Sequence, residues 1–225
     1  MVVPIIFGII MGIAHFFSEE FYSRYKTHYS KIISFSAGIA VTYIFLDLFP
    51  NFSEGAAQID KLLFLSVLIG FVAFHLIEKY IYQHSPEEKL FRELAIEDSV
   101  ISFLYHFVIG MLIVSFLNQD LLRGTLFFIP VLVYTAVSTL PVDITKFKSL
   151  RIIVASSTLL GILFAAYIYT TMSPLVFNIL LGFIVGTLSF TVTRHSIPIG
   201  KKGEPLYFTI GVLFYTIILF LLLYR

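Results

Sequence analysis

Long apolar runs alternate with short polar or turn-forming clusters along the whole chain. The first run, 3–22, carries no charged side chain before Glu19 and lacks the basic segment that opens a cleaved signal, so we interpret it as a retained helix. A helix needs ~20 mostly apolar residues to cross the hydrocarbon core of a bilayer. The runs therefore predict eight membrane-spanning helices, with approximate bounds 3–22, 31–51, 62–83, 97–118, 124–145, 150–170, 174–194 and 205–224.

The amino-acid composition supports a membrane protein. Of the 225 residues, 58% are hydrophobic and only 13% are charged, whereas a soluble domain is roughly one quarter charged. Eight crossings leave too few residues for a soluble domain, so we predict an all-α polytopic integral membrane protein with a single transmembrane domain spanning 1–225. The longest polar segment, 84–97, predicts a solvated loop or a short surface helix.

Charge and cysteine usage narrow the function classes. Cysteine is absent, which excludes thiolate metal sites and cysteine nucleophiles. The net charge of +1 argues against a nucleic-acid partner, which would need a basic patch or stripe.

Basic residues are distributed unevenly between the two ends of the predicted helices. The connections after predicted helices 1, 3, 5 and 7 hold twelve of the fifteen Lys and Arg residues, and the opposite face holds Lys61, Arg123 and Arg225. Lys and Arg near helix ends are retained in the cytoplasm. The distribution predicts that both termini lie outside, and we expect the plasma membrane as the location.

Predicted helices 2 and 7 share a local pattern. Gly38 precedes Pro50 by twelve residues, and Gly186 precedes Pro198 by the same interval. The two helices run in opposite directions in the predicted topology. This is the expectation for helices 1–3 and 6–8 as inverted repeats flanking helices 4 and 5, although a coincidence of common helix-end residues gives the same pattern.

One face of predicted helix 1 carries Gly8, Gly12, His15 and Glu19 at helical spacing. The two glycines allow a neighbouring helix to approach closely. An ionisable group in hydrocarbon is costly unless it is paired or faces a cavity. His15 and Glu19 are therefore candidate functional residues.

Predicted helix 4 carries a similar polar face formed by Asp98, Ser102, His106 and Gly110. At a rise of ~1.5 Å per residue, His15 lies about 18 Å from the outer edge of the membrane core and His106 about 14 Å from the inner edge. In a core ~30 Å thick these depths nearly coincide. The sequence thus predicts two imidazoles near the membrane midplane.

Predicted helix 5 adds hydroxyl and carboxyl groups. Thr135 and Ser138 lie on this helix, and Asp143 follows Pro141. Because proline has no N–H, Pro141 leaves the carbonyl of Val137 free to accept from a neighbour or to bind an ion.

Together these helices predict a divalent cation site. The candidate metal ligands are His106, His15, Asp143, Glu19, Asp98 and Ser138. Imidazole suits Zn, Fe, Cu and Ni, and carboxylates extend the range towards Mn. The competing interpretation is a pair of buried histidines hydrogen-bonded to Ser, Thr or backbone across helices. Axial coordination of a haem by His15 and His106 is a third.

The pattern resembles the Zrt/Irt-like (ZIP) family of divalent metal transporters. The stretch from Phe35 to Pro50 is similar to the family's Gly-rich helix ending in Phe-Leu-His-Leu-x-Pro, with Asp47 at the usual histidine. The stretch from Gly70 to Lys79 is similar in style to the helix that follows. The resemblance implies eight helices in a 3 + 2 + 3 inverted-repeat arrangement with both termini outside.

The chain departs from the family at its strongest motifs. The family's His-Asn-x-x-Asp is matched by the segment from His106 to Gly110, which keeps only the histidine. Its His-Glu-x-Pro-His-Glu is matched by the segment from Ser138 to Asp143, which keeps Pro141 and a terminal carboxylate. These losses argue against a binuclear metal site of the family's usual kind.

We therefore expect a ZIP-like transporter that passes a divalent cation such as zinc through the bundle of predicted helices 1, 4, 5 and 6. The alternative is a ZIP-fold membrane protein that has lost metal transport and serves as an interaction, regulatory or small-ligand-binding protein. We expect no enzymatic activity and no resident cofactor. The expected partners are the lipid bilayer and a divalent cation, with a homodimer allowed and no nucleic acid.

Overall fold

A computed structural model describes residues 2–25, 27–137, 148–196 and 203–223. These residues form the helices α1 (Val2–Tyr25), α2 (Tyr29–Tyr43), α3 (Phe49–Ile59), α4 (Phe64–His84), α5 (Glu87–Gln119), α6 (Leu121–Val137), α7 (Lys148–Leu163), α8 (Pro174–Thr191) and α9 (Pro205–Leu223). Short π-helical turns follow α2, α7 and α8, at Ile44–Leu48, Phe164–Ile168 and Val192–Ser196. The described residues contain no strand, which confirms the all-α prediction.

Most of these helices are long and apolar enough to cross a membrane. Within the described residues six segments meet that condition: Tyr29–Ile59, Lys61–His84, Arg92–Gln119, Arg151–Ile168, Pro174–Arg194 and Pro205–Leu223. Two shorter apolar helices, Val2–Ser18 and Leu121–Val137, accompany them. Large apolar side chains also cover much of the outer surface, particularly on α9. These features are those of an integral membrane protein.

Two helices are longer than the sequence predicts. The predicted second helix ends near Pro50, but the structure continues through the π turn Ile44–Leu48 into α3 and ends at Ile59. Pro50 lies in the first turn of α3, where its missing N–H and fixed φ are tolerated. The proline therefore lies just after the change from π-helix to α-helix, and the helix does not end there.

The polar segment 84–97, predicted as a solvated loop or a short surface helix, belongs mainly to α5. This helix begins at Glu87, directly after Pro86. The residues from Glu87 to Asp98 include no glycine or proline and are rich in good helix formers, so nothing ends the helix before the membrane segment. The prediction of a separate element was wrong because polarity alone does not interrupt a helix.

The helices pack in two groups that define the interior. α1 and α5 contact each other and both contact α6 and α7, and α2 packs on α9 while α4 packs on α8. α2 also contacts α6, which joins the groups. The core between them is apolar and includes the fully buried Tyr43, Phe127 and Leu112.

Three glycine pairs allow the closest helix crossings. Gly38 meets Gly211 between α2 and α9, Gly70 meets Gly186 between α4 and α8, and Gly110 meets Gly161 between α5 and α7. In every pair, each glycine faces the carbonyl oxygen of the residue three positions before its partner, at a distance that leaves no room for a Cβ. Backbone-to-backbone contact of this kind is how small residues hold membrane helices together.

Candidate functional site

The structure brings the two midplane histidines together. The ring centroids of His15 on α1 and His106 on α5 are 4.9 Å apart, and the ring planes are nearly perpendicular at 85°. His106 is buried, with 6% of its surface exposed. The two rings lie within the group formed by α1, α5, α6 and α7.

Hydrogen bonds connect the two imidazoles through Ser102. Nδ1 of His106 lies 2.8 Å from the carbonyl oxygen of Ser102, one helical turn back. A carbonyl oxygen only accepts, so Nδ1 carries the proton and donates. The Ser102 hydroxyl lies 3.2 Å from the same Nδ1 and 3.1 Å from Nε2 of His15. With His106 in this tautomer, the hydroxyl of Ser102 can donate to Nε2 of His15 or accept from it, according to which nitrogen of His15 carries the proton.

The other side of His106 is held by α6. With Nδ1 protonated, Nε2 of His106 accepts from the hydroxyl of Thr135 at 3.1 Å. Thr135 is itself buried, at 3% exposure. A continuous polar chain, defined here as His15–Ser102–His106–Thr135, therefore crosses from α1 through α5 to α6 in the middle of an apolar core.

One ring nitrogen of this chain has no hydrogen-bond partner among the residues that the structure describes. Nδ1 of His15 is buried and makes no hydrogen bond within the described part of the protein. A buried polar atom without a hydrogen-bond partner lowers the stability of the fold. A ligand that binds this nitrogen would remove that cost. When the proton of His15 is on Nε2 and is donated to the Ser102 hydroxyl, the lone pair of Nδ1 is the position on the two histidines where a cation can bind without displacing a hydrogen bond.

The polar chain supplies two of the ligands that a transition metal would need. No group of three His, Cys, Asp or Glu side chains that could hold a metal ion occurs among the described residues. Structural zinc sites have four protein ligands and catalytic sites three. A cation at the histidines would therefore complete its coordination with hydroxyl, water or backbone oxygens, or with side chains outside the described set.

The side chains of the other four predicted ligands lie outside the described residues. Ser138 and Asp143 lie outside the described residues. Glu19 follows His15 by one helical turn on α1, and Asp98 precedes His106 by two turns on α5, but their side chains are also outside the described set. The positions of Glu19 and Asp98 on their helices follow the predicted polar faces.

The predicted free carbonyl of Val137 has a partner. The phenol of Tyr29, at the start of α2, donates to the Val137 oxygen at 2.9 Å. This bond joins the end of α6 to α2. The acceptor that the sequence analysis identified is thus used to connect two helices.

Sequence reasoning missed the role of Arg151. Its guanidinium donates to the carbonyl oxygen of Phe16 on α1, with Nε at 2.6 Å, and lies 4.4 Å from the centre of the Phe16 ring. Glu20 forms an ion pair with the same group at 3.5 Å. In the sequence, Arg151 counts only towards the topology. Its position just before the apolar run of α7 was a signal that it contacts a neighbouring helix. Arg151 joins α7 to α1 next to His15.

Comparison with protein-family models and with curated proteins finds no match for this chain.

Proposed function

We propose that this protein is a ZIP-like membrane transporter that moves a divalent cation through the bundle of α1, α5, α6 and α7. The observation that carries the proposal is the contact between His15 and His106 in the centre of that bundle. Intramembrane histidines that face the interior of a helix bundle typically mark ion or substrate pathways. Zinc is the first candidate, because neutral imidazole is among its preferred ligands.

The repeated features of α2 and α8 support the 3 + 2 + 3 inverted-repeat arrangement. A π turn begins at Ile44, six residues after Gly38, and another begins at Val192, six residues after Gly186. An inverted repeat that exchanges α2 with α8 and α4 with α9 also converts the Gly38–Gly211 crossing into the Gly186–Gly70 crossing. Two independent features thus follow one internal symmetry, as many transporters do.

The orientation of the transporter follows from its basic residues. With twelve of fifteen Lys and Arg in the connections after the odd-numbered spans, eight crossings put both termini outside. The plasma membrane is the proposed location. In this orientation Glu19 and Asp98 lie on the cytoplasmic side of the histidines.

The cation binds first at Nδ1 of His15, which has no hydrogen-bond partner among the described residues, while the proton of His15 lies on Nε2 and is donated to the Ser102 hydroxyl. Binding at Nε2 of His106 then requires the Thr135 hydroxyl to give up its hydrogen bond, so Thr135 can either close the site or contribute an oxygen ligand. Glu19, Asp98, Asp143 and Ser138 form the cytoplasmic exit. Rocking of one helix group against the other opens the site to each side in turn.

Uptake of Zn²⁺ into proteoliposomes tests this proposal. His106→Ala and His15→Ala should each abolish uptake, because each removes one of the two midplane ligands. His84→Ala is the matched control, since this exposed histidine lies at the end of α4, where its ring bonds the Tyr80 carbonyl and stacks on the Tyr80 ring of the same helix. Uptake that survives loss of either midplane histidine would refute the site.

A second function is favoured by the hydrogen bonds themselves. Both nitrogens of His106 and one of His15 already have partners, and the described residues hold no three-ligand group. A ZIP-fold protein that has lost transport and acts as an interaction, regulatory or small-ligand-binding protein would keep such a chain for stability. Absence of bound metal by elemental mass spectrometry, of a metal-induced thermal shift and of uptake in the wild type would select this function.

A further inference from the structure

A charged pocket lies away from His15 and His106, near the carboxyl ends of α4 and α8. Its volume is about 530 Å³, and it is lined by His75, Glu78, Lys79, Tyr82 and Arg194. Four of these residues belong to α4, and Arg194 lies in the π turn that follows α8. The pocket is thus separate from the bundle that holds His15 and His106.

An ion pair holds the arginine of this pocket in position. Nη2 of Arg194 donates to Oε1 of Glu78 at 3.0 Å. The Glu78 side chain is only 12% exposed, whereas that of Arg194 is 48% exposed. A guanidinium has five N–H donors, so this bond leaves others on the exposed side of Arg194. Glu78 therefore acts as a support that points the guanidinium at the pocket.

The charge of the lining favours an anion over a cation. Lys79 and Arg194 contribute two positive charges, and Glu78 contributes one negative charge that is already paired. A divalent cation would be repelled by the excess positive charge, although His75 and Glu78 are residue types that bind metals. A phosphate group fits better, because arginine and lysine are the side chains that recognise it.

The surroundings of the pocket fit a lipid. Leu76 and Ile77 on α4 expose apolar side chains next to the pocket, and Tyr80 and Tyr82 are exposed one turn further on. Tyrosines are enriched where a membrane helix leaves the hydrocarbon, and basic pockets between helices at this level bind phospholipid headgroups. A phosphate held by Arg194 and Lys79 would leave acyl chains beside the apolar face of α4.

We propose that this pocket binds the headgroup phosphate of an anionic phospholipid, with Arg194 and Lys79 as its ligands and Glu78 as the group that positions Arg194. The site does not depend on cation transport. It would tie α4 to α8 at the end of the helices where most of the basic residues lie.

Native mass spectrometry of the full chain in a neutral detergent tests the site. The probes are phosphatidylglycerol, phosphatidylcholine with the same acyl chains, and free glycerol phosphate. We expect phosphatidylglycerol to bind about tenfold more tightly than phosphatidylcholine, because the choline group beside the same phosphate carries a positive charge that Arg194 and Lys79 repel. Lys79→Gln and Arg194→Gln should each weaken phosphatidylglycerol binding by about fivefold, the effect of one basic side chain near a membrane surface.

Arg24→Gln is the matched control, because Arg24 is an exposed arginine in the last turn of α1, away from the pocket. Its affinity for phosphatidylglycerol should equal that of the wild type. Lys79→Gln decides the matter if Arg194→Gln fails to fold after losing the ion pair with Glu78. Equal binding of the two lipids, equal weakening by Arg24→Gln, or equally tight binding of glycerol phosphate alone would overturn the proposal.

Discussion

Replacing Gly110 by alanine is expected to force α5 and α7 apart where they cross. A Cβ on Gly110 would lie 2.9 Å from the backbone nitrogen of Ile162 and 3.1 Å from the backbone carbon of Gly161, and would overlap the carbonyl oxygen of Thr158. Carbon contacts are comfortable at about 3.5–4.0 Å, and backbone atoms cannot rotate away. Overpacking of this kind costs about 1–3 kcal/mol, and alanine regains ~1 kcal/mol of helix propensity. Because the contacts are with backbone atoms, we take the upper end of the overpacking range, so the unfolding free energy should fall by about 2 kcal/mol.

Gly8→Ala provides the matched comparison, because this glycine also faces α7. Its two nearest contacts would be side-chain ends, Cδ1 of Ile162 at 2.8 Å and Cδ1 of Leu159 at 3.1 Å, and the nearest backbone atom would be the Cα of Leu159 at 3.2 Å. Flexible side chains can move aside, so the change in unfolding free energy should stay within about 0.5 kcal/mol once helix propensity is included. Reversible unfolding in mixed micelles, followed by circular dichroism, measures both variants. Equal losses of stability, or a stabilised Gly110→Ala, would refute the reasoning about backbone contact.

Two further variants test the polar contacts between helices. Thr135→Val removes the hydroxyl that donates to His106 and should lower the unfolding free energy by about 1 kcal/mol in the same assay. The hydroxyl of Thr125 donates to the Leu121 carbonyl of its own helix, so Thr125→Val should have almost no effect, and equal effects of the two variants would contradict the assignment. Arg151→Lys keeps the charge but loses the fork of donors on the Phe16 carbonyl. We expect faster amide hydrogen exchange in the second half of α1, and unchanged exchange would show that Arg151 does not hold that helix.

Helix type and approximate helix position were predictable from the sequence, whereas two helix boundaries were not. Apolar runs of membrane length leave the backbone no alternative to helix, because hydrocarbon offers no hydrogen-bond partners. The boundary at Pro50 was wrong because a π turn accommodates the proline. The start of α5 at Glu87 was missed because a polar helix and a polar loop have similar composition.

The sequence by itself was enough to predict which polar groups lie in the membrane and at what depth. Helical rise converts residue number into depth, so His15 and His106 could be matched without knowledge of the fold. Only the tertiary structure decided which partner each group has. The Ser102 hydroxyl lies between the two rings, and the Thr135 hydroxyl bonds Nε2 of His106. Glu78 pairs with Arg194, which is 116 positions away in the sequence. Such pairs depend on the rotation of each helix and on where helices cross. The glycine contacts set where the helices cross. The periodicity of the sequence shows which face of a single helix is polar, but not which helix that face meets.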